Sequence, residues 1–346
     1  MTTVPKFIAC PECHANDWQH LENAEFNAPY NGERALKCGN CGRMYPVVDG
    51  IFVMWSDQLR GLLHDGAAGD AMSDKVKRAN IEIYNEVSTE YGEHHDGSQP
   101  YAQTLLFLKA IADNFRKSKL DTSQSVLVDV GCATGASLDL GAHAYSHTVG
   151  VDISLGNLKA AKQRGHTAIL ADAEKLPFSE AAVDTITCFA TLHHFPNPQA
   201  FVSAARRCLR SDGIMMIAGE PSQRAMTMGP LAKAAWNARK PVYRFLGRFS
   251  DRYYMHRDRE QQERNDLAEV NRTAGGFSES QLEQFLAQAG FQDKVVFYGT
   301  DPDGFSNYAT PPWQQFILRM LSFQNPFKRS NWMNLTAVGR ADSSAD

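Results

Sequence analysis

From residue 125 onward, short apolar runs rich in β-branched residues alternate with amphipathic stretches. Ser125–Val130 (SVLVDV) predicts a strand buried on both faces, followed by a glycine-bearing turn and a helix. Further strands are expected at Thr148–Asp152, Thr167–Leu170, Val183–Phe189 and Gly213–Gly219, with helices at Leu155–Arg164 and Pro198–Leu209. Regular alternation of this kind predicts an α/β chain with a doubly wound parallel sheet, whose ligand sits beyond the carboxyl ends of the strands. Ser278-x-x-Gln281 is a capping box for a helix to Gln288 that Gly290 ends, and Phe291–Gly299 and Asn331–Gly339 read as two final strands. Upstream, helical periodicity appears at Val76–Val87 and Thr104–Phe115, while residues 56–75 mix Gly, Ala, Ser and Asp and read as a linker. The expected organisation is a small domain over 1–55, the linker 56–75, a large domain over 76–340 and a tail over 341–346.

The small domain is defined by its cysteines. Residues 10–13 read Cys-Pro-Glu-Cys and residues 38–41 read Cys-Gly-Asn-Cys, with a 24-residue span (14–37) between them, long enough for a hairpin. Cys10, Cys13, Cys38 and Cys41 fit a tetrahedral zinc site, since two thiolates on one tight turn reach the same ion. Four cysteines leave no open position, so the zinc is expected to be structural. After the second knuckle comes Tyr45-Pro46-Val47-Val48-Asp49-Gly50-Ile51. This stretch resembles the small zinc-ribbon proteins that partner and activate RNA and protein methyltransferases, which implies a docking or substrate-presenting module. Cys132, Cys188 and Cys208 stand alone, and seven cysteines in this pattern suit a reducing compartment better than a disulfide framework.

The turn after the first strand of the large domain carries the cofactor chemistry. Asp129-x-Gly131-x-x-x-Gly135 lets backbone pass close to a bound molecule and exposes amides at a helix start. Ala133 and Ala136 stand where a dinucleotide fingerprint needs glycine, and no G-x-x-x-x-G-K-[ST] run occurs. Asp152, ending the second strand, can accept both hydroxyls of a ribose, and Asp172 beyond the third can accept from an adenine amino group. These residues describe a site for an adenosine carrying an amino acid, S-adenosylmethionine.

Residues 126–220 resemble the class I S-adenosylmethionine-dependent methyltransferases of the type 11 domain group, in a Rossmann-like sheet with an antiparallel final strand pair. The matching stretches are VLVDVGCATG (126–135), VGVDIS (149–154), ADAEKLPF (171–178), VDTITCFATLHH (183–194) and LRSDGIMMI (209–217). The resemblance implies that Asp129, Gly131, Ala133 and Gly135 hold the methionine part and that Asp152 and Ile153 meet the ribose. It places Asp172 and the Ala173 amide at adenine, with Phe189 and Ala190 lining the floor.

Candidate groups for the methyl acceptor are fewer. His193 and His194 follow the fourth strand, in the useful range for general-base work, and Glu220 ends the fifth strand. For the two histidines and the glutamate alike, shaping or capping the pocket is an equally good role. Tyr84, Tyr91, His94 and His95 precede the core as a candidate lid. The insertion Pro221–Gly276 holds eight Lys and Arg against Asp251 and Asp258 within 233–259, a net of +6, interleaved with aromatics such as Trp236 and Tyr243. That segment suits an anionic lipid surface, a phosphate-bearing substrate or RNA, and an amphipathic helical lid with a solvated basic face describes it equally well. Thr300–Arg329, with Pro311-Pro312-Trp313, is expected to add to the substrate wall.

Composition narrows the partners. With 43% hydrophobic and 21% charged residues, a net charge of −4 and a pI near 6.3, the 346-residue chain is globular and not generally nucleic-acid binding. The first residues lack a secretory pattern and no apolar run is long enough to span a bilayer, so a cytoplasmic location, or one peripheral to a membrane, is expected. The leading expectation is methyl transfer to an O or N atom of a small or medium biosynthetic molecule such as a lipid, quinone-like, polyketide or sugar precursor. The alternatives are an RNA base methyltransferase that docks RNA on its ribbon, and a non-catalytic binding or scaffold protein that keeps the fold.

Overall fold

The computed structural model describes residues 4–22, 24–32, 34–64, 71–86, 88, 113, 120–246, 259–299, 312–325 and 334–342. The first four strands are β1 (Trp18–Glu22), β2 (Arg34–Cys38), β3 (Met44–Val48) and β4 (Ile51–Met54), followed by helices α1 (Asp57–Leu63) and α2 (Met72–Glu86). The alternating part comprises β5 (Val126–Val130), α3 (Ala136–Gly141), β6 (His147–Asp152), α4 (Leu155–Gln163), β7 (Thr167–Ala171), β8 (Val183–Phe189), α5 (Pro198–Cys208) and β9 (Leu209–Pro221). Beyond it lie α6 (Gln223–Met226), α7 (Pro230–Leu246), α8 (Arg259–Ala268), α9 (Val270–Thr273), α10 (Glu279–Gln288), β10 (Asp293–Tyr298), α11 (Pro312–Leu321) and β11 (Asn334–Arg340).

All eleven strands form one sheet in the order β1-β2-β3-β4-β7-β6-β5-β8-β9-β11-β10. Strands β7, β6, β5, β8 and β9 run parallel, and β11 joins β9 and β10 antiparallel, as the expected final pair does. The cysteine-bearing segment is not a separate bead on this sheet. Its antiparallel strands β1 to β4 extend the sheet itself, because β4 pairs in parallel with β7 through Phe52↔Ile169, Val53↔Leu170 and Met54↔Ala171. Between β3 and β4, Asp49 and Gly50 both take positive φ (52° and 75°), the two-residue hairpin turn that an Asp-Gly pair favours.

The linker expected over 56–75 is instead helical across Asp57–Leu63 and again from Met72. Ser56 caps α1 by accepting from the Leu59 amide, and Leu59 buries against the core, two signals that outweigh the Gly and Ala content. Within α2, Val76, Ala79, Ile81 and Ile83 are buried. The helix expected at Thr104–Phe115 lies outside the described residues except for Asp113. The fifth expected strand is longer than its apolar run: it starts at Leu209, which pairs with Val183 ahead of a register shift, and runs to Pro221.

One apolar core runs through the whole sheet, from Phe7, Leu36 and Trp55 to Val128, Ile186 and Leu286. Residues such as Val128, Ile169 and Ile186 are fully buried, and each contributes about 1.5–3 kcal/mol over an exposed position. Polar contacts lock the amino-terminal segment to the β7–β8 connection. Ala9 donates to the Pro177 carbonyl and Ser179 to the Phe7 carbonyl, both at 2.9 Å, and Lys175 pairs with Glu12 at 2.9 Å. Among the described residues no helix is long and apolar enough to cross a membrane.

Candidate functional site

Two sites emerge, a sulfur cluster and a cleft. The Sγ atoms of Cys10, Cys13, Cys38 and Cys41 all lie within 4.8 Å of one another, with Cys10–Cys41 at 3.6 Å and Cys13–Cys38 at 3.5 Å. These separations are far too long for a disulfide and match the edge of a thiolate tetrahedron around a 2.3 Å metal–sulfur bond, about 3.8 Å. Each knuckle is a tight turn. His14 (φ 59°) and Gly42 (φ 73°) take left-handed angles and donate to the Cys10 and Cys38 carbonyls. Tyr45, the aromatic of the Tyr-Pro-x-x-Asp-Gly-Ile stretch, is buried with its hydroxyl 3.0 Å from Cys10 Sγ, and Trp18 meets its ring edge-on. A hydroxyl at that distance can donate to a thiolate, as the outer partners of metal-bound sulfurs do.

The cleft lies where the sheet reverses its winding, at the carboxyl ends of β5, β6, β7 and β8, and holds about 730 Å³ of empty space. Gly131, Ala133, Asp152, Ile153, Asp172, Ala173 and Ala190 all line it. Gly131 has φ +73°, and a Cβ there would stand 2.1 Å from Thr191 Cγ2, so only glycine lets the two turns meet. Gly135 (φ +83°) starts α3 from beneath the lining. Ala133 occupies the left-handed region at φ 47°, a strained place for a residue with a Cβ, and is held there because its amide donates to Asp152 Oδ2 at 2.9 Å. The other oxygen of Asp152 accepts from the Ser154 amide at 2.8 Å. Burial pushes the Asp152 carboxyl up to about 6, with these amides pulling the other way.

Three expected residues are placed differently. Asp129 is buried beneath the loop, where it accepts from Thr187 Oγ1 at 2.7 Å and from Ser137 Oγ, and it does not line the cleft. Burial pushes it, too, up to about 6. Phe189 packs toward Ile214, Met216 and Val338 on the far side of the sheet, since strand alternation turns it away from the floor where Ala190 sits. Glu220 is fully buried. Its carboxylate accepts from the amides of Thr191, Leu192 and His193 at 2.9, 2.9 and 3.0 Å and meets His193 Nδ1 at 2.9 Å. It thus anchors the turn after β8, with His193 behind that turn and only His194 facing the cleft.

Lys77 on α2, which no pattern in the chain singles out, lines the cleft from the other side. Its ammonium lies 2.7 Å from Asp172 and 3.0 Å from Glu174. Burial opposes its charge, but the two carboxylates outweigh that and hold Lys77 above its ordinary value. Asp172 is therefore held from three directions, by Lys77, by Ser56 Oγ at 3.4 Å and by the Glu174 amide at 3.0 Å.

Farther along α2, the Tyr84 hydroxyl sits 3.2 Å from His194 Nε2, and His194 Nδ1 sits 3.1 Å from the Ala268 carbonyl. A carbonyl only accepts, so Nδ1 carries the proton and Nε2 accepts from Tyr84. Burial, with His193 beside it, pushes His194 well below its ordinary value, so the ring is neutral. Tyr91, His94 and His95, most of the candidate lid, lie outside the described residues, as do residues 247–258 of the basic segment.

The buried role of Glu220 makes a specific prediction. In Glu220→Gln an amide N–H₂ would face backbone donors, costing about 1–3 kcal/mol, read as a lower denaturation midpoint of the ligand-free protein. An unchanged midpoint would return Glu220 to the role of a substrate contact.

Residues 128–217 match the family profile described as "Methyltransferase domain", and residues 5–50 match the one described as "Trm112p-like protein". A Homo sapiens protein named "Probable tRNA methyltransferase 9B" is 33% identical over 86 residues, covering 25% of this chain and 18% of its own length. "Ubiquinone biosynthesis O-methyltransferase" of Psychrobacter arcticus is 27% identical over 115 residues, covering 31% of this chain and 45% of its own. The chain thus spans less than half the length of either relative. A solved complex of the Haloferax volcanii Trm112 methyltransferase activator with a putative methyltransferase is similar over 78% of this chain and 99% of the matched one, at 13% identity and a TM-score of 0.46. The chain carries a methyltransferase domain over residues 128–217, and ahead of it, over residues 5–50, a Trm112p-like domain that belongs to the same sheet.

Proposed function

We propose that this chain transfers the methyl group of S-adenosylmethionine to a hydroxyl oxygen of a small or medium biosynthetic molecule with an apolar body. The observation that carries the cofactor assignment is Asp152 and its surroundings. Asn157, beside Asp152, leaves its Oδ1 buried with no partner among the described residues, on the cleft wall. An orphaned acceptor beside a carboxylate calls for a ligand rich in hydroxyl or ammonium donors. Asp152, Asp172 and Glu174 outnumber Lys77 along the cleft, which suits a cationic cofactor and opposes a pyrophosphate. When bound, the cofactor supplies an electrophilic methyl group on a sulfonium. Asp152 and Asn157 would hold the ribose end, the backbone of the Gly131–Gly135 loop would border the amino-acid end, and Asp172 with the Ala173 amide would meet the adenine.

Tyr84 and His194 then define the acceptor chemistry. A hydroxyl placed against Tyr84 passes its proton to the tyrosine oxygen while Tyr84 gives its own to His194 Nε2. Burial makes His194 a weak base, so the pair fits an acceptor whose O–H is already acidic, such as a phenol or enol, better than an aliphatic alcohol. A second reading, methylation of RNA, is favoured by the names of the tRNA methyltransferase relatives and by the Trm112p-like domain.

For the ribbon we propose zinc on Cys10, Cys13, Cys38 and Cys41 in a closed structural role, since the four sulfurs leave no open position. Cys38→Ser is expected to lose stoichiometric zinc, measured by elemental analysis, and retention of full zinc would refute the four-sulfur site.

The acceptor class is tested by incubating the pure protein, methyl-labelled S-adenosylmethionine and a cell extract that is then split into lipid, small-metabolite, RNA and protein fractions. Label in the lipid or metabolite fraction supports the proposal, whereas nuclease-sensitive label in RNA replaces it with the second reading. Tyr84→Phe should lower the rate of that labelling by roughly 10²-fold while cofactor affinity stays within about threefold. A variant with normal turnover would remove Tyr84 from the proton path.

The pH dependence follows from Asp152. Its carboxyl, raised to about 6, is neutral below that pH and accepts hydroxyls poorly. Cofactor affinity, measured by calorimetry, is therefore expected to weaken as pH falls through about 6 and to level off above 7. A flat profile from pH 5 to 8 would contradict the ribose assignment.

A further inference from the structure

The insertion after β9 presents a face that the cleft does not use. Helix α7 carries Leu231, Ala235, Ala238 and Val242 at i, i+4, i+7 and i+11, one continuous stripe, and all four are exposed. Beside it, α11 and the turn that follows expose Ile317, Met320 and Phe323 at i, i+3 and i+6. The exposures are large for such side chains: 58% for Leu231, 52% for Val242, 46% for Ile317, 55% for Met320 and 87% for Phe323. Most of the exposed large apolar side chains among the described residues lie on these two helices. The pair is also fixed in place. Arg319 is buried, and its guanidinium donates to the Ala225 carbonyl at 3.0 Å and to Gln324 Oε1 at 2.8 Å, tying α11 to α6 just beyond the carboxyl end of β9. The apolar face therefore stands at the same end of the sheet as the cleft.

Charge says what covers it. Helix α7 contains Lys233, Arg239, Lys240 and Arg244 in its sequence and no carboxylate, and α11 contains no carboxylate either. Along its own sequence α7 thus carries a net of +4 in a chain whose total is −4, so basic residues share the helix with the apolar stripe. We propose that the α7–α11 face docks on an anionic lipid bilayer, with its aliphatic and aromatic side chains at the headgroup–acyl boundary and the basic residues at the phosphates. Apolar insertion combined with basic flanks is how interfacial helices bind. Nucleic acid would engage the cations but leave exposed isoleucine, methionine and phenylalanine without a counterpart.

The test uses the full chain and no methyl acceptor, so its outcome is independent of the acceptor class. The protein is sedimented with vesicles of phosphatidylcholine alone or with a roughly 30% share of phosphatidylglycerol, at low and high salt. Binding is expected only to the anionic vesicles, and it should weaken with salt. Lys233→Ala should weaken it by about fivefold, the factor for one basic residue near a charged leaflet. Leu231→Glu combined with Met320→Glu, both at exposed positions, should abolish it while the thermal midpoint and cofactor affinity stay unchanged. The proposal falls if the protein stays in the supernatant with both vesicle types, binds both equally, or sediments undiminished in the double variant. It falls equally if the double variant instead breaks a dimer of a protein that ignores vesicles, because the face then belongs to a second copy of the chain.

Discussion

The parallel pairing of β4 on β7 is the contact from which most of the cleft follows. Without it, β7 would end the sheet with a row of unpaired amides and carbonyls, an arrangement that folded proteins cover or blunt. Here the covering strand comes from the cysteine-bearing segment, so that segment and the α/β part share one sheet and one core. Because β4 runs parallel to β7, it delivers the chain to the carboxyl edge, where Ser56 caps α1 and donates to Asp172. The Gln58 side-chain oxygen then accepts from Lys77, and α2 continues along the cleft through Asn80 and Tyr84 to His194. One wall of the cleft is thus built by chain that precedes the methyltransferase domain in sequence.

That wall changes the electrostatics of the site. Lys77, Asp172 and Glu174 form a buried charged group, and such groups are costly to break, typically by about 3–5 kcal/mol when one partner is removed. Asp129 and Asp152 are a different case, since neither has a cation against it. Their folded values, about 6, lie above the unfolded carboxyl value. Their contribution to stability is therefore full at acid pH and is lost as pH rises through about 6. At neutral pH both are a standing cost of the ligand-free fold. A ligand that donates to Asp152 offsets part of it, which links cofactor binding to stability. Glu220 accepts from three amides of the turn after β8, which it holds, and it does not line the cleft.

Much of this was legible in the chain. The alternation of apolar runs located β5 to β9, the paired knuckles located four sulfurs, and the spacing of Gly131, Gly135, Asp152 and Asp172 located the cleft. These features are local: a strand, a tight turn or a carboxylate at a strand end is set by a few neighbouring residues and the backbone geometry they prefer. The misplacements were of another kind. Phe189 precedes Ala190 and Glu220 bonds the amide of Thr191, both of which line the cleft, and only the pleat of the sheet and a turn folded back on itself decide which way each points. Lys77 meets Asp172 across 95 residues and Tyr84 meets His194 across 110. The sequence by itself determined which elements form and which chemistry they carry, because propensity, turn geometry and ligand spacing act at short range. The tertiary structure alone decided that the cysteine segment closes the sheet and that α2 completes the cleft, because edge pairing and burial depend on surfaces that exist only once distant segments have met.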